Sequence, residues 1–313
     1  VFMSKIFDSV MGFVIGDAMG VPVEFCIREK LLKSPITEMK GFGSHSVPAG
    51  SWSDDTSMTL ATMDSMSNKK DIDYKDIMEC FYEWVVNYKY TPCNFRFDIG
   101  HTCAEAIYNY SKKDKQPLEC GLKDIKSNGN GSLMRMIPIA FYTYYKKYDE
   151  EKIIECTNNI SALTHGHDIS KLGCYIYVKY IHFLLDGKDK YEAYDLIKKV
   201  DYSMYDKTSI NAYSRILSDN IYEYELKDIR STAFVVDTLE AVLWVLLNTD
   251  NFTQAIIGSI NLGNDTDTIG AICGSLAGIL YSSDSFPEKW MNKIIKKEYI
   301  IEKINNFEKS CLN

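Results

Sequence analysis

The sequence lacks the cysteine spacing of a disulfide framework or a zinc site. Its nine cysteines include no Cys-x-x-Cys pair, and their number is odd. Closely spaced pairs of that kind are typical of thiolate-bound zinc, and a disulfide framework is typically an even number of cysteines in a short secreted chain. Because free thiols persist in reducing compartments, we expect buried, reduced cysteines and a cytoplasmic protein.

Long uninterrupted apolar segments are also missing. Charged residues interrupt both the N-terminal apolar stretch and the run over residues 234–247. A membrane-spanning helix needs about 20 predominantly apolar residues, and a secretory signal needs an unbroken apolar centre. We therefore expect no membrane contact and no signal peptide, and we interpret Val1-Phe2, which precede Met3, as a cloning remnant.

Basic charge is scarce relative to acidic charge. The chain has 35 Lys+Arg against 43 Asp+Glu, a formal net charge of −8. Nucleic-acid-binding proteins neutralise phosphates with basic patches, so we expect no nucleic-acid partner. The hydrophobic fraction of 46% and the aromatic fraction of 13% are typical of a folded chain.

The alternating pattern of β-strands is nearly absent. Apolar residues recur instead at helical spacing, as at Ile6, Val10 and Phe13. Turn-forming residues separate such windows at residues 41–43, 48–50, 128–131, 187–189 and 263–264. Without repeats or long linkers, this organisation predicts an all-α fold, a single-domain orthogonal helical bundle over residues 1–313.

Two glycine series, each spaced by four residues, lie near the ends of the chain: Gly12, Gly16 and Gly20, and Gly270, Gly274 and Gly278. Residues four apart share one face of a helix. Each glycine costs a helix about 1 kcal/mol relative to alanine, and close approach of two backbones would offset that cost. Glycines in unrelated caps and loops are the alternative. We infer that two helices cross tightly in the centre.

Two oxygen-rich clusters, Ser53-Asp54-Asp55 and Asp265-Thr266-Asp267-Thr268, each open a helical pattern. Carboxylates at helix starts often serve only as caps and dipole partners. Their oxygens also suit a hard cation such as Mg²⁺, Mn²⁺ or Ca²⁺. Two facing clusters would repel each other unless cations lay between them, and together they offer enough ligands for a pair of ions.

Two further segments permit functional and structural interpretations. The glycine-rich turn at residues 128–135 suits a phosphate cradle or a plain capping loop. Its Arg135 would pair with phosphate or brace a carboxylate. His167-Asp168 is the dipeptide of helical HD-type metal phosphohydrolases, with His101 as a candidate further ligand, or else Asp168 is a helix cap.

Six segments, in this order, resemble the ADP-ribosylglycohydrolase family, whose members include the dinitrogen-reductase-activating glycohydrolase. They are residues 15–24, 52–56, 129–135, 164–165, 235–241 and 263–268. The resemblance implies an all-α fold of the ADP-ribosylglycohydrolase type. It also implies two divalent metal ions, Mg²⁺ or Mn²⁺, in a central cleft.

The resemblance further implies roles for single residues. The implied metal ligands are Ser53, Asp54, Asp55, Asp265, Asp267 and Thr268. The implied substrate contacts are Asn130, Gly131, Ser132 and His165 at the diphosphate and ribose, and Phe234 at the adenosine end. The family often has Gly-Tyr where this chain has Ala233-Phe234, and a phenylalanine can still stack on adenine.

The implied reaction is hydrolysis of the glycosidic bond at C1″, which releases ADP-ribose from an ADP-ribosylated protein, with arginine as the favoured linkage. Its oxocarbenium-like transition state is stabilised by carboxylates. We expect Asp54, Asp55 or Asp265 to hold or deprotonate the water, and Glu24 to position the scissile bond or gate entry. The alternatives are a hydrolase of serine-linked or small-molecule ADP-ribose conjugates, or a non-catalytic ADP-ribose-binding or immunity protein.

Overall fold

Helices form nearly all of the regular structure. The computed structural model describes residues 4–313, so the interpretation of Val1 and Phe2 lies outside the described residues. Within them the α-helices are α1 Lys5–Gly20, α2 Arg28–Lys33, α3 Asp54–Lys69, α4 Tyr74–Asn87, α5 His101–Ser111, α6 Ile137–Tyr145, α7 Glu150–Ala162, α8 Asp168–Leu185, α9 Lys190–Ile197, α10 Lys207–Ala212, α11 Ser214–Leu217, α12 Val235–Leu247, α13 Phe252–Ile260, α14 Thr266–Tyr281, α15 Glu288–Lys293 and α16 Lys297–Leu312.

Short 3₁₀ helices and isolated bridges complete the regular structure. The 3₁₀ helices are Val21–Val23, Gly43–His45, Pro117–Glu119, Leu133–Arg135, Ile221–Glu223, Leu226–Asp228 and Ser283–Ser285. Between residues 4 and 313 the extended pairings are isolated bridges, and no strand is formed. The predicted all-α fold is confirmed.

Side-chain caps fix where many of the helices begin. Ser4 accepts a hydrogen bond from the backbone N–H of Phe7 at the start of α1, and Ser53 accepts one from Asp55 at the start of α3. Asp73 caps α4 in the same way. Each such cap contributes about 1 kcal/mol to helix stability. The polar residues that precede the apolar periodicity therefore set the helix boundaries.

The two glycine series form the contact between α1 and α14. An added Cβ at Gly12 or Gly16 would meet the carbonyl oxygens of Gly274 and Gly270, far inside the 3.0 Å limit for real Cβ atoms. Residues later in α1 contact residues earlier in α14, so the two helices run antiparallel. The predicted tight crossing is confirmed, and it brings the end of α1 beside the start of α14.

The same crossing explains the composition of α1. By length and composition alone, the segment Lys5–Val23 is apolar enough to cross a membrane, which corrects our expectation that no apolar segment is long enough. However, 94% of its apolar window is buried inside the fold. A helix covered on all sides by protein is apolar all round, and α1 is therefore the central helix of the core.

Candidate functional site

Seven carboxylates converge where α1, α3 and α14 meet. Four overlapping groups have ligand atoms within 4.8 Å of one another: Asp17 with Asp55 and Asp267, Glu24 with Asp265 and Asp267, Asp54 with Asp98 and Asp267, and Glu24 with His45 and Asp98. The two oxygen-rich clusters singled out in the sequence thus face each other, one at the start of α3 and the other at the start of α14, beside the end of α1. Asp267 belongs to three of these groups and lies at their centre.

Several oxygens of the cluster are buried without a hydrogen-bond partner. They are Oδ1 of Asp55 and both carboxylate oxygens of Asp267. Each of these residues is 1% exposed, and an unpaired charge at such depth is strongly unfavourable. A hard divalent cation would satisfy the unpaired oxygens, since its preferred ligands are carboxylates and hydroxyls. The residues present therefore fit a metal centre.

The electrostatics of the cluster point the same way. Burial, and then the neighbouring carboxylates, hold the pKa of Asp54, Asp55 and Asp267 well above the usual range. Burial also raises the pKa of Asp265, although the hydrogen bond from Asn130 opposes the shift. Without a cation the cluster therefore favours the protonated carboxyls, whereas a bound cation would favour the ionised carboxylates.

Asp17 anchors the start of α3, a role the sequence did not reveal. This fully buried carboxylate accepts hydrogen bonds from the backbone N–H groups of Ser53 (3.0 Å) and Thr56 (3.2 Å). It also accepts from the hydroxyls of Ser53 (2.8 Å) and Thr56 (2.6 Å). Burial raises the pKa of Asp17 to about 7 despite these donors. The sequence feature that could have indicated this role is an acidic residue next to Gly16 in a largely apolar helix.

His45 and Asp98 are two further members of the site that sequence reasoning missed. Nε2 of His45 lies 3.4 Å from Oε1 of Glu24, within ion-pair distance but not aligned as a hydrogen bond. The contact with Glu24 raises the pKa of His45. Burial would raise the pKa of Glu24, but its contacts with His45 and Asp267 lower it overall. Burial, and then Glu24, raise the pKa of Asp98 to about 7.

Asn130 connects the glycine-rich turn to the acidic cluster. Its side-chain amide donates to Oδ2 of Asp265 (2.6 Å) and to the hydroxyl of Thr238 (2.9 Å). Its backbone N–H donates to the carbonyl oxygen of Ala233 (2.9 Å). This pairing holds Phe234, whose ring is 39% exposed, beside the turn. Asn130, Asp265 and Phe234, all predicted from the resemblance, are thus joined by hydrogen bonds and backbone pairing.

The other residues predicted to contact the diphosphate and ribose, Gly131, Ser132 and His165, are more buried than Phe234. An added Cβ at Gly131 would lie 2.7 Å from Cε1 of His165, so only glycine allows this approach. Burial, and then Arg135, lower the pKa of His165 to about 3, which leaves its imidazole neutral. The hydroxyl of Ser132 is fully buried and accepts from Ser161 (2.9 Å). A substrate contact by Ser132 stays a prediction.

Arg135 serves the loop itself, so both of our interpretations of it are wrong. Its guanidinium is fully buried and donates to the carbonyl oxygens of Gly131 (2.8 Å) and Ile160 (2.8 Å) and to the hydroxyl of Thr164 (2.8 Å). It neither faces a cleft nor pairs with a carboxylate. Because its donors are directed at backbone oxygens, Arg135 fixes the shape of the glycine-rich turn.

The interpretation of His167-Asp168 as an HD-type metal site is also wrong. His101 is exposed and pairs with Glu105 (3.3 Å), while Nδ1 of His167 accepts from the backbone N–H of Ile169 (3.1 Å) and so caps α8. Across residues 4–313, no group of convergent metal-ligating side chains includes His101, His167 or Asp168. The dipeptide opens α8, but the capping residue is His167, whereas the structural alternative had placed the cap at Asp168.

Comparison with known proteins identifies a family. A family model described as ADP-ribosylglycohydrolase matches residues 1–311. The ADP-ribosylarginine hydrolase Tri1 of Pseudomonas putida is 30% identical over 295 residues, which cover 93% of this chain and 74% of the relative. The ADP-ribosyl-[dinitrogen reductase] glycohydrolase of Rhodospirillum rubrum is 29% identical over 289 residues, with coverages of 92% and 89%.

A solved structure shares the fold. It is an ADP-ribosylglycohydrolase-related protein complex that matches with a TM-score of 0.82 and 23% sequence identity, over 98% of both chains. The family match spans nearly the complete sequence, and the curated relatives align over more than nine-tenths of it. The chain therefore belongs to the ADP-ribosylglycohydrolase family.

Proposed function

We propose that this chain is a metal-dependent hydrolase that releases ADP-ribose from arginine residues of ADP-ribosylated proteins. The observation that carries the proposal is the set of unpartnered, buried carboxylate oxygens on Asp55 and Asp267. Relatives named ADP-ribosylarginine hydrolase and ADP-ribosyl-[dinitrogen reductase] glycohydrolase support the arginine linkage.

The proposed cofactors are two Mg²⁺ or Mn²⁺ ions. Their proposed ligands are Ser53, Asp54, Asp55, Asp265, Asp267 and Thr268. Asp267 converges both with Asp55 and with Asp265, and this convergence supports a set of carboxylates that could hold more than one ion. When bound, divalent cations supply Lewis acidity that polarises oxygen atoms and lowers the pKa of water.

The protein's own side chains then orient the sugar and handle the proton. Positive charge that develops at C1″ is stabilised by the surrounding carboxylates. We assign to Asp54, Asp55 or Asp265 the task of holding the attacking water and accepting its proton. Glu24 lies beside the same carboxylates and would orient the scissile bond.

The nucleotide is proposed to bind along the glycine-rich turn. The amide of Asn130 is fixed between Asp265 and Thr238, which supports a role at the ribose. Neutral His165, close to Gly131, can donate a hydrogen bond to phosphate, as can backbone N–H groups at the turn. The exposed ring of Phe234 offers a stacking surface for adenine.

The proposed partner is an ADP-ribosylated protein, and the proposed product is ADP-ribose. We also propose that the chain is one catalytic domain and that it works in the cytoplasm. All nine cysteines are free, and six of them are buried. Thiols in this state are typical of proteins from reducing compartments, which supports the proposed location.

The proposal is tested by measuring ADP-ribose released from arginine-linked and serine-linked substrates with Mg²⁺, with Mn²⁺ and with EDTA. We expect metal-dependent release from arginine that is lost in Asp55→Asn and kept in Asp71→Asn, an acidic residue at the surface. Release from serine alone would favour the serine-directed alternative. Tight ADP-ribose binding without release from either substrate would favour a binding protein.

A further inference from the structure

Four rings form a continuous row at the edge of the acidic cluster. The ring centroids are 6.0 Å apart for Phe25 and His45, 5.2 Å for His45 and Phe97, and 6.2 Å for Phe97 and Phe95. We call these four residues the aromatic collar. Phe25 is 72% exposed and Phe95 is 44% exposed, so much of the collar's apolar surface faces solvent.

Phe25 has a backbone conformation that is unfavourable for a phenylalanine. Its φ of +70° lies in the left-handed region, which is strongly disfavoured for a bulky residue. Two backbone hydrogen bonds maintain it, from Phe25 N–H to the carbonyl oxygen of Asn264 (2.8 Å) and from Asn264 N–H to that of Cys26 (2.7 Å). Strain of this kind is typical of functional sites, and burial of the ring does not explain it.

The collar adjoins two carboxylates of the cluster, Glu24 and Asp98. Ligand atoms of His45, Glu24 and Asp98 lie within 4.8 Å of one another. The turn that carries Asn130 contacts a different carboxylate, Asp265. The proposed nucleotide contacts and the collar therefore touch different members of the site, which leaves the collar available to the group attached at C1″.

A guanidinium fits this combination of surfaces. It is planar, stacks on aromatic faces and pairs with carboxylates through its fixed fork of N–H donors. When His45 is protonated, Glu24 at 3.4 Å compensates its charge, and Asp98 lies beside both. A serine side chain has neither a planar cation to stack nor donors of this kind.

We propose that the aromatic collar, together with Glu24 and Asp98, binds the side chain of the modified arginine. Phe25 and Phe97 are then specificity-determining residues for the leaving group. This inference rests on the proposed function, because it names the part of the site that recognises the arginine. It assigns a role to exposed rings that neither metal binding nor nucleotide binding uses.

The test compares Phe25→Ala, Phe97→Ala and the double variant with the wild-type protein. The substrate is an arginine-ADP-ribosylated peptide, and free ADP-ribose serves as a product inhibitor that lacks the arginine. We expect KM to rise about fivefold for each ring removed, the size of one cation–π contact, with kcat and the inhibition constant of ADP-ribose unchanged. Phe25→Tyr and Phe97→Tyr should keep the wild-type KM.

Tyr108→Ala is the matched control, since it removes an exposed aromatic ring outside the collar. An unchanged KM in the collar variants would overturn the inference, as would an equal weakening of ADP-ribose inhibition. Those outcomes leave release by the wild-type protein intact. If the wild-type protein itself releases no ADP-ribose from arginine, the proposed function fails and this inference fails with it.

Discussion

Replacing Gly16 with alanine tests whether the α1–α14 crossing depends on bare backbone contact. All three nearest neighbours of the added Cβ are backbone atoms of Gly270 and Ala271, which cannot rotate away. Overpacking of this kind costs about 3 kcal/mol, while the gain in helix propensity returns about 1 kcal/mol. We therefore expect the free energy of unfolding to fall by about 2 kcal/mol, which corresponds to a Tm lower by about 3 °C for a chain of 313 residues.

Gly258→Ala is the matched control for this prediction. Gly258 lies inside α13, and its nearest neighbour would be Cγ1 of Val245 at 3.2 Å, a side-chain atom that can move. The same gain in helix propensity applies there without a rigid obstacle. Thermal unfolding followed by circular dichroism should separate the two variants. A Tm for Gly16→Ala equal to or above that of Gly258→Ala would refute the reasoning.

Further variants test the site and its surroundings. Asp267→Asn replaces a buried carboxyl that, without metal, must either lose its hydration as an anion or take up a proton on folding, so its Tm in EDTA should rise by about 2–4 °C, while the increase caused by Mn²⁺ should shrink; differential scanning fluorimetry checks both. Asn130→Ala loses the bond to Asp265, and kcat/KM should fall about tenfold to a hundredfold in steady-state assays. Burial raises the pKa of Glu240 to about 7, although Arg215 opposes the shift. The contribution of Glu240 to the stability of the wild-type protein therefore falls as pH rises from about 4.5 to 7. Relative to the wild-type protein, the free energy of unfolding of Glu240→Gln should increase by about 2 kcal/mol between pH 5 and 8, as measured in denaturant titrations.

The fold was predictable because its signals are local in sequence. Helical periodicity and turn residues are read within short windows. The spacing of the two glycine series added one long-range contact, since glycines on one helix face have few other uses. That contact orients α1 against α14, and it explains why carboxylates more than 200 residues apart, such as Asp17 and Asp267, meet in one cluster.

The rest of the site depends on tertiary contacts that no local pattern reports. Asp98 lies outside regular structure, between α4 and α5, and His45 ends a short 3₁₀ helix. Neither position has periodicity to mark it. At Arg135 the sequence suggested a functional role that the structure does not support. Its charge suggested that it binds a ligand, but its guanidinium is completely buried and holds only the loop. Residue type indicated possible chemistry, but burial and partners decided the role.

Metal titration of chelator-treated protein, followed by release of ADP-ribose from an arginine-linked substrate, tests the central claim most directly. Bound metal and activity are measured on the same samples. The account predicts that activity returns in proportion to bound Mn²⁺ or Mg²⁺, and that Asp267→Asn binds less metal and loses activity together. Full release from arginine by protein free of metal would contradict it.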